Sequence, residues 1–275
     1  MNNRWFVLGA LAGLLAITAA GVAADPPGQP LKLEKSLKET LDGLLPGIGA
    51  EQGFEDAQRR WQEVCFLLSA PGREKQQAEA AQLMTDRLGT SLTPRARVWL
   101  LTQLMRTGRA ECVTAVARSV DDADPLVRAA AVRALAAIPV AEAGKAVREK
   151  LASSSDAAVK VALINALGYR AEPASVAALA RQLGDADAKV ASAAATALGK
   201  VATSEAARAA AGDQAPAEVR GRIADARLHA ATRLVRNGKA EEARALYAAA
   251  GRRTGAAAIT PPWSDCCGRA TIRRR

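Results

Sequence analysis

The chain has 275 residues, of which 66 are alanine and nine are aromatic. Large apolar side chains supply most of the area buried in a deep enzyme core, whereas alanine buries little and forms helices readily. The composition therefore disfavours a β-sandwich or barrel and excludes collagen-like, disordered and multi-span membrane proteins. The net charge of +10 is uneven, with +2 in residues 25–200 and +7 in residues 201–275.

The first 24 residues have the layout of a secretory signal peptide. One basic residue, Arg4, precedes an apolar stretch, and small residues follow at Val22 and Ala24. Cleavage is therefore predicted after Ala24, which would release the protein into the periplasm or outside the cell. The alternative is an uncleaved membrane anchor, because the apolar stretch is just long enough to span a bilayer.

Residues 25–92 are predicted to form a linker and an N-terminal helical cap. A proline-rich stretch at 25–30 favours extended chain, and proline or glycine pairs separate the apolar stretches that follow. The helical spacing of those stretches predicts four helices. Their approximate bounds are 31–45, 54–69, 75–88 and 94–106.

A sequence repeat with a period near 30 residues begins after this cap. Its marker valines are 29, 32, 31 and 29 residues apart, at Val98, Val127, Val159, Val190 and Val219. Each unit contains two helical segments, which is typical of an α-solenoid. The solenoid is predicted over 93–236, and the helices between the marked ones are predicted near 110–120, 141–152, 173–183 and 204–211.

Two residue types in the repeat have predicted local roles. Asp124, Asp156 and Asp187 each stand three residues before the valine, where a carboxylate can accept hydrogen bonds from the free amides of the first helical turn. Gly168 and Gly199 follow the last apolar residue, where a left-handed C-cap is expected. The apolar stripe between these positions is predicted to be core and not a cofactor site.

The pattern D-x-x-V-[RK]-x-x-A-x-x-A-L-G resembles HEAT repeats, in particular the short units found in phycobilisome lyases. This resemblance implies an all-α, right-handed α-solenoid of HEAT-like helix pairs. It also implies a ladder between units that pairs Asp124 with Arg128 and Asp156 with Lys160. In the third copy Ala191 takes the basic position, so Asp187 has no partner from that column.

The segments on either side of the solenoid show further resemblances. The stretch around Trp61, with 96–104, is similar to the front part of exported bacterial HEAT-repeat proteins. Residues 228–247 resemble one tetratricopeptide hairpin, which places a capping helix at 237–251. The basic tail at 252–275 is expected to be disordered, or to come from a truncated or shifted reading frame.

No catalytic arrangement is found in the sequence, and no metal site or cofactor is expected. His229 is the only imidazole, and no nucleophile or paired acid accompanies it. Cys65 and Cys112 occupy apolar helical positions, as buried thiols do, although export also allows a disulfide. The adjacent Cys266 and Cys267 have no further ligands near them, so zinc is not expected.

The remaining functional feature is the surface of the second helix of each unit, which lines the concave side of HEAT solenoids. The column of residues one after the marker valine is basic at three of five positions, whereas the column six after it has no common chemistry. Together they suggest a mildly basic strip that suits an acidic protein segment. The candidate residues are Trp99, Arg128, Arg133, Lys160, Asn165 and Arg220.

The predicted function is a non-catalytic protein–protein interaction scaffold with no small-molecule substrate. Contact with a membrane is expected only if the signal segment stays uncleaved. Two alternatives remain. One is a bilin lyase or chaperone-like HEAT protein. The other is a polyanion binder that uses the basic C-terminal quarter, although the scarcity of aromatic residues among its bases argues against nucleic acid.

Overall fold

A computed structural model describes residues 33, 35–89, 91–201, 203–209, 219–244 and 246–247. All regular structure in these ranges is helical, with no strand. The chain divides into two compact units, Met1–Gly108 and Arg109–Arg275. The break after Gly108 places the weak first copy of the repeat, around Val98, with the N-terminal helices. Within the described ranges, no helix has both the length and the apolar character needed to cross a membrane.

In the described part of the N-terminal unit, four helices pack around a small core. They are α1 (Leu37–Ile48), α2 (Phe54–Leu68), α3 (Glu74–Asp86) and α4 (Pro94–Thr107). Trp61 and Met84 are fully buried in this core, and the Trp61 Nε1 donates to the Met84 Sδ at 3.2 Å. The last three helices have nearly the bounds that the sequence predicts.

Helix α1 begins and ends later than predicted. It begins after Ser36, whose Oγ accepts from the amide of Glu39 at 3.2 Å while the Glu39 carboxylate accepts from the Ser36 amide at 3.0 Å. This reciprocal cap fixes the first turn. Pro46 lies in the last turn and does not end the helix, since the buried Ile48 still packs into the core.

The C-terminal unit alternates a first and a second helix in each repeat. The first helices are α5 (Val113–Arg118), α7 (Ala141–Ser153), α9 (Val176–Arg181) and α11 (Ser204–Ala209). The second helices are α6 (Pro125–Ala137), α8 (Ala157–Arg170), α10 (Ala188–Val201) and α12 (Arg220–Arg236). Helices α5 and α9 are each flanked by short 3₁₀ turns, so the long helices predicted there are broken at both ends.

Consecutive second helices stack on one another, α6 on α8, α8 on α10, and α10 on α12. The predicted fold class, an all-α solenoid of helix pairs, is therefore confirmed.

The prediction that Gly168 and Gly199 are left-handed C-caps is wrong. Both lie inside helices, and neither has a positive φ. A Cβ on Gly168 would lie 3.0 Å from the Cα of Ala197, and a Cβ on Gly199 would lie 2.9 Å from the Cα of Ala226. These glycines therefore let neighbouring second helices approach closely.

Beyond α12 the described chain turns back at Gly238, which has φ +77°. Residues 240–244 and 246–247 are helical, and Ala243 and Tyr247 pack against Ala231 and Leu234 of α12. The predictions for the signal peptide (1–24), most of the linker and the tail (252–275) fall outside the described residues.

Candidate interaction surface

The three repeat aspartates cap the second helices, as the sequence predicts. One carboxylate oxygen of Asp124 accepts from the amides of Leu126 and Val127 at 2.8 and 3.2 Å. Asp156 and Asp187 accept in the same way at the starts of α8 and α10. Each carboxylate therefore satisfies two amides that the helix leaves without a partner.

The ladder between repeats uses a different aspartate from the one that the resemblance implies. The Lys160 ammonium lies 2.8 Å from a carboxylate oxygen of Asp185, in the next repeat, and not on Asp156. Asp185 stands two residues before Asp187, and its other oxygen accepts from the Asp187 amide at 2.9 Å. Its hydrogen bonds, first from Lys160 and then from the Asp187 amide, lower the pKa of Asp185.

The first ladder pair, Asp124 with Arg128, is also replaced. Arg128 donates from one Nη to the carbonyls of Asp122 and Ala123, both at 2.9 Å. In the next repeat the position equivalent to Asp185 is Ser154, so no carboxylate is available there. The signal that could have shown the correct register is the recurrence of Asp two residues before the cap, at Asp122 and Asp185.

Sequence reasoning missed the most extensive polar contact between repeats, which Arg170 makes. Its guanidinium donates to the carbonyls of Leu135, Ile138 and Val140 at 2.9, 2.7 and 2.7 Å. Its side chain is 7% exposed and also lies 2.6 Å from the Glu172 carboxylate. One arginine of α8 thus bonds to the last turn of α6 at Leu135, to its C-cap at Ile138 and to Val140 at the start of α7.

Glu172 joins this contact to the first-helix layer. The Arg148 guanidinium lies 3.2 Å from the Glu172 carboxylate and 3.3 Å from the hydroxyl of buried Ser175. Gly144 of α7 packs against the same carboxylate, and a Cβ there would collide with it. Two arginines and a glycine therefore fix the position of one glutamate.

The second helices expose a recurring column of side chains. The residues six after the marker valine are exposed in all four helices: Arg133, Asn165, Thr196 and Asp225. In a helix, the positions seven before and four after a given residue lie on the same face as that residue. Several of the positions at these distances from the four column residues are also exposed. We call the whole set the second-helix face: Leu126, Arg133, Asn165, Tyr169, Lys189, Thr196, Lys200, Asp225 and His229.

Only part of the predicted strip lies on this face. Arg133 and Asn165 belong to it, whereas Arg128 and Lys160 are half-buried and engaged in the contacts above. Arg220 is exposed at the start of α12. Trp99 is half-buried and belongs to the other compact unit. The column directly after the valine therefore does not form a continuous exposed strip.

The residues considered as catalytic or metal-binding candidates lie apart from one another in the structure. Cys65 and Cys112 are both free and buried, and burial raises the pKa of Cys65 to about 12. His229 is exposed on α12. In the part of the chain that the structure describes, no three His, Cys, Asp or Glu residues are grouped as a metal site would require.

Comparison with known proteins finds a similar repeat. Residues 144–227, which include α8 and α10, match the family model described as HEAT repeats. Over this segment the chain is similar to HEAT repeats. Among curated proteins, none matches the chain.

Two solved structures are similar to the chain at low identity. The crystal structure of an engineered protein is 20% identical, with 77% of this chain and 98% of that chain covered and a TM-score of 0.45. Human deoxyhypusine hydroxylase in complex with glycerol is 16% identical, with 69% and 95% covered and a TM-score of 0.33.

Proposed function

We propose that the C-terminal unit is a non-catalytic scaffold that binds a protein partner on its second-helix face. The observation that carries this proposal is the exposed column Arg133, Asn165, Thr196 and Asp225, which keeps one register through four stacked helices. The residues directly before and after each of these four are buried or half-buried. A partner that lies across the stack would therefore meet one side chain from each repeat.

Site-specific photocrosslinking tests this proposal. A photoreactive amino acid replaces Asn165 or Thr196 on the face, and a control carries it at Ala177, which is exposed on the first helix α9. In extracts of cells that produce the protein, we expect a discrete crosslinked protein from the face positions and none from Ala177. Equal capture from both sides would contradict the scaffold.

We further propose that the hairpin after Gly238 caps the end of the solenoid. The packing of Ala243 and Tyr247 on α12, and the 3.0 Å contact between the Thr232 and Tyr247 hydroxyls, support this role. Such a cap would cover an apolar surface that the last repeat cannot bury alone. Truncation after Asn237 is expected to lower the unfolding midpoint and to promote aggregation.

We also propose that the protein acts outside the cytoplasm after cleavage behind Ala24. The three-part layout of residues 1–24 supports this. Expression in a Gram-negative host, followed by N-terminal sequencing of the periplasmic fraction, should give a chain that begins at Asp25. A chain that begins at Met1 in the membrane fraction would favour the anchor instead.

A further inference from the structure

The two helix layers of the C-terminal unit differ sharply in charge. The four second helices contain eleven Lys and Arg residues but one acidic residue, Asp225. The first helices, with their flanking 3₁₀ turns, contain six basic and five acidic residues. The first-helix layer is therefore nearly neutral, and the positive charge of the unit is concentrated on one side.

Several of these bases serve the fold and are not available to a ligand. Lys160 and Arg170 make contacts between repeats, Arg128 donates to the loop before its own helix, Arg227 is buried, and Arg233 donates to the carbonyl of Lys200 at 2.6 Å. The bases that matter for recognition are those that remain exposed.

Three exposed bases lie on the second-helix face, on two of its four helices. Arg133 is on α6, and Lys189 and Lys200 are on α10, seven before and four after Thr196. None of the three forms an ion pair with another described residue. On α12, Arg222 and Arg236 are exposed three residues before and eleven after Asp225, so they share its side of the helix. Five bases therefore face solvent here against one acid.

The same face also exposes large apolar side chains. Leu126 is 67% exposed and Tyr169 is 73% exposed, and among the described residues of this unit they are the two most exposed large hydrophobic side chains. The uncharged polar residues Asn165 and Thr196 lie between the bases, where each can bond to a peptide backbone. Nucleic acid would instead favour contiguous bases with stacked aromatics.

We infer that the second-helix face binds an extended acidic peptide segment that carries leucine-like apolar side chains. This inference rests on the proposed scaffold and names the chemistry of its partner. Four stacked helices about 10 Å apart span about 30 Å, which an extended chain of about ten residues covers. Carboxylates of the segment would pair with Arg133, Lys189 and Lys200, and its apolar side chains would pack on Leu126 and Tyr169.

Fluorescence anisotropy with the full chain tests this inference. The probe is a labelled peptide of about 15 residues in which Asp and Glu alternate with Ser and Gly around two leucines. Two further probes are the same peptide with Asn and Gln for Asp and Glu, and a single-stranded oligothymidylate of equal length. We expect only the acidic peptide to bind, with an affinity that falls as salt rises.

Matched charge reversals locate the site. R133E/K200E should weaken binding of the acidic peptide by roughly 10- to 100-fold at low salt, because each change removes an attraction and adds a repulsion. K145E/R181E changes the charge equally on exposed residues of the first helices and should leave binding unchanged. Circular dichroism of all variants confirms that they fold.

Four outcomes would overturn the inference. They are equal binding of the acidic and neutral peptides, tighter binding of oligothymidylate, no binding of any probe, and equal losses in the two double variants. If photocrosslinking at Asn165 still captures a protein in any of these cases, the scaffold stands and only the partner's chemistry is wrong. If crosslinking also fails, both proposals fall.

Discussion

The guanidinium of Arg170 donates to the main-chain carbonyl of Ile138 at 2.7 Å, across the boundary between two repeats. Ile138 is the residue at which α6 ends, and Arg170 is the last residue of α8. The C-terminus of one second helix is therefore capped by the next one along the stack. This contact couples the stability of each repeat to that of its neighbour.

Replacement of Arg170 by methionine is expected to destabilise the C-terminal unit by about 3 kcal/mol, because the buried carbonyls lose a charged donor and the Glu172 carboxylate loses one of its two arginines. Urea unfolding followed by circular dichroism measures this loss. The control R133M removes an exposed arginine from the same layer and should stay within about 0.5 kcal/mol of wild type. Equal stabilities for the two variants would show that the contacts of Arg170 do not stabilise the unit.

The helix glycines give a second test of the stack. G168A and G199A should each cost about 1–3 kcal/mol, since the added methyl meets the backbone of the neighbouring helix at 3.0 and 2.9 Å. G221A lies in α12 with nothing within 4 Å of the new methyl, so helix propensity should stabilise it by about 1 kcal/mol. Thermal unfolding compares the three. If all three substitutions changed the stability in the same direction, close packing at Gly168 and Gly199 would be contradicted.

Ala171 has φ +52°, the only positive φ among the described residues other than glycine. The left-handed conformation costs an L-residue about 1–2 kcal/mol, a penalty that glycine avoids. A171G should therefore raise the free energy of unfolding by about 1 kcal/mol. In contrast, A158G, at an exposed helical position of α8, should lower it by up to about 1 kcal/mol. A destabilised A171G would show that this backbone conformation is not required.

The sequence predicted the helices and the solenoid well, because the repeat period and the apolar spacing depend only on residues near one another along the chain. It also predicted the caps at Asp124, Asp156 and Asp187, since a cap and its amides are close in sequence. It did not predict the Arg170 contact, which joins residues 30 or more positions apart. Nothing in the local pattern distinguishes that arginine from Arg133.

The interaction surface was predicted only in part, because contacts between residues distant in the sequence also decide which side chains are exposed. Spacing alone placed Arg128 and Lys160 on the candidate strip, yet their long side chains reach back to a loop or forward to Asp185. Which base faces solvent depends on whether the next repeat offers an acceptor within reach. That choice is set by the stacking geometry and is absent from any single copy of the repeat.

Acid should weaken the N-terminal unit through Asp42. The Arg87 Nε donates to the Asp42 carboxylate at 2.6 Å, and this bond, aided by Lys38, lowers the pKa of Asp42 from 3.8 to about 2. Because the folded-state pKa lies below the unfolded value, the stabilisation is complete above about pH 4 and is lost as the pH falls toward 2.

The variant D42N removes this titration, so its stability difference from wild type should shrink between pH 5 and pH 2. Tryptophan fluorescence can follow the unfolding, since Trp61 and Trp99 lie in this unit. E79Q, at an exposed position of α3, serves as the control and should follow the wild-type acid dependence. A D42N difference that stays constant over the whole range would contradict the role of this pair.

The buried thiol of Cys65 should resist alkylation in the folded protein. Burial raises its pKa from 9.0 to about 12, and the thiolate is the reactive form, so the thiolate fraction at pH 8 falls by about a thousandfold. Pulsed iodoacetamide labelling with peptide mapping should show native Cys65 reacting at least about 100-fold more slowly than in guanidinium. Mapping by peptide separates it from the other three cysteines. Fast native labelling would instead show that α2 opens readily, because a thiol that is 5% exposed cannot otherwise reach the reagent.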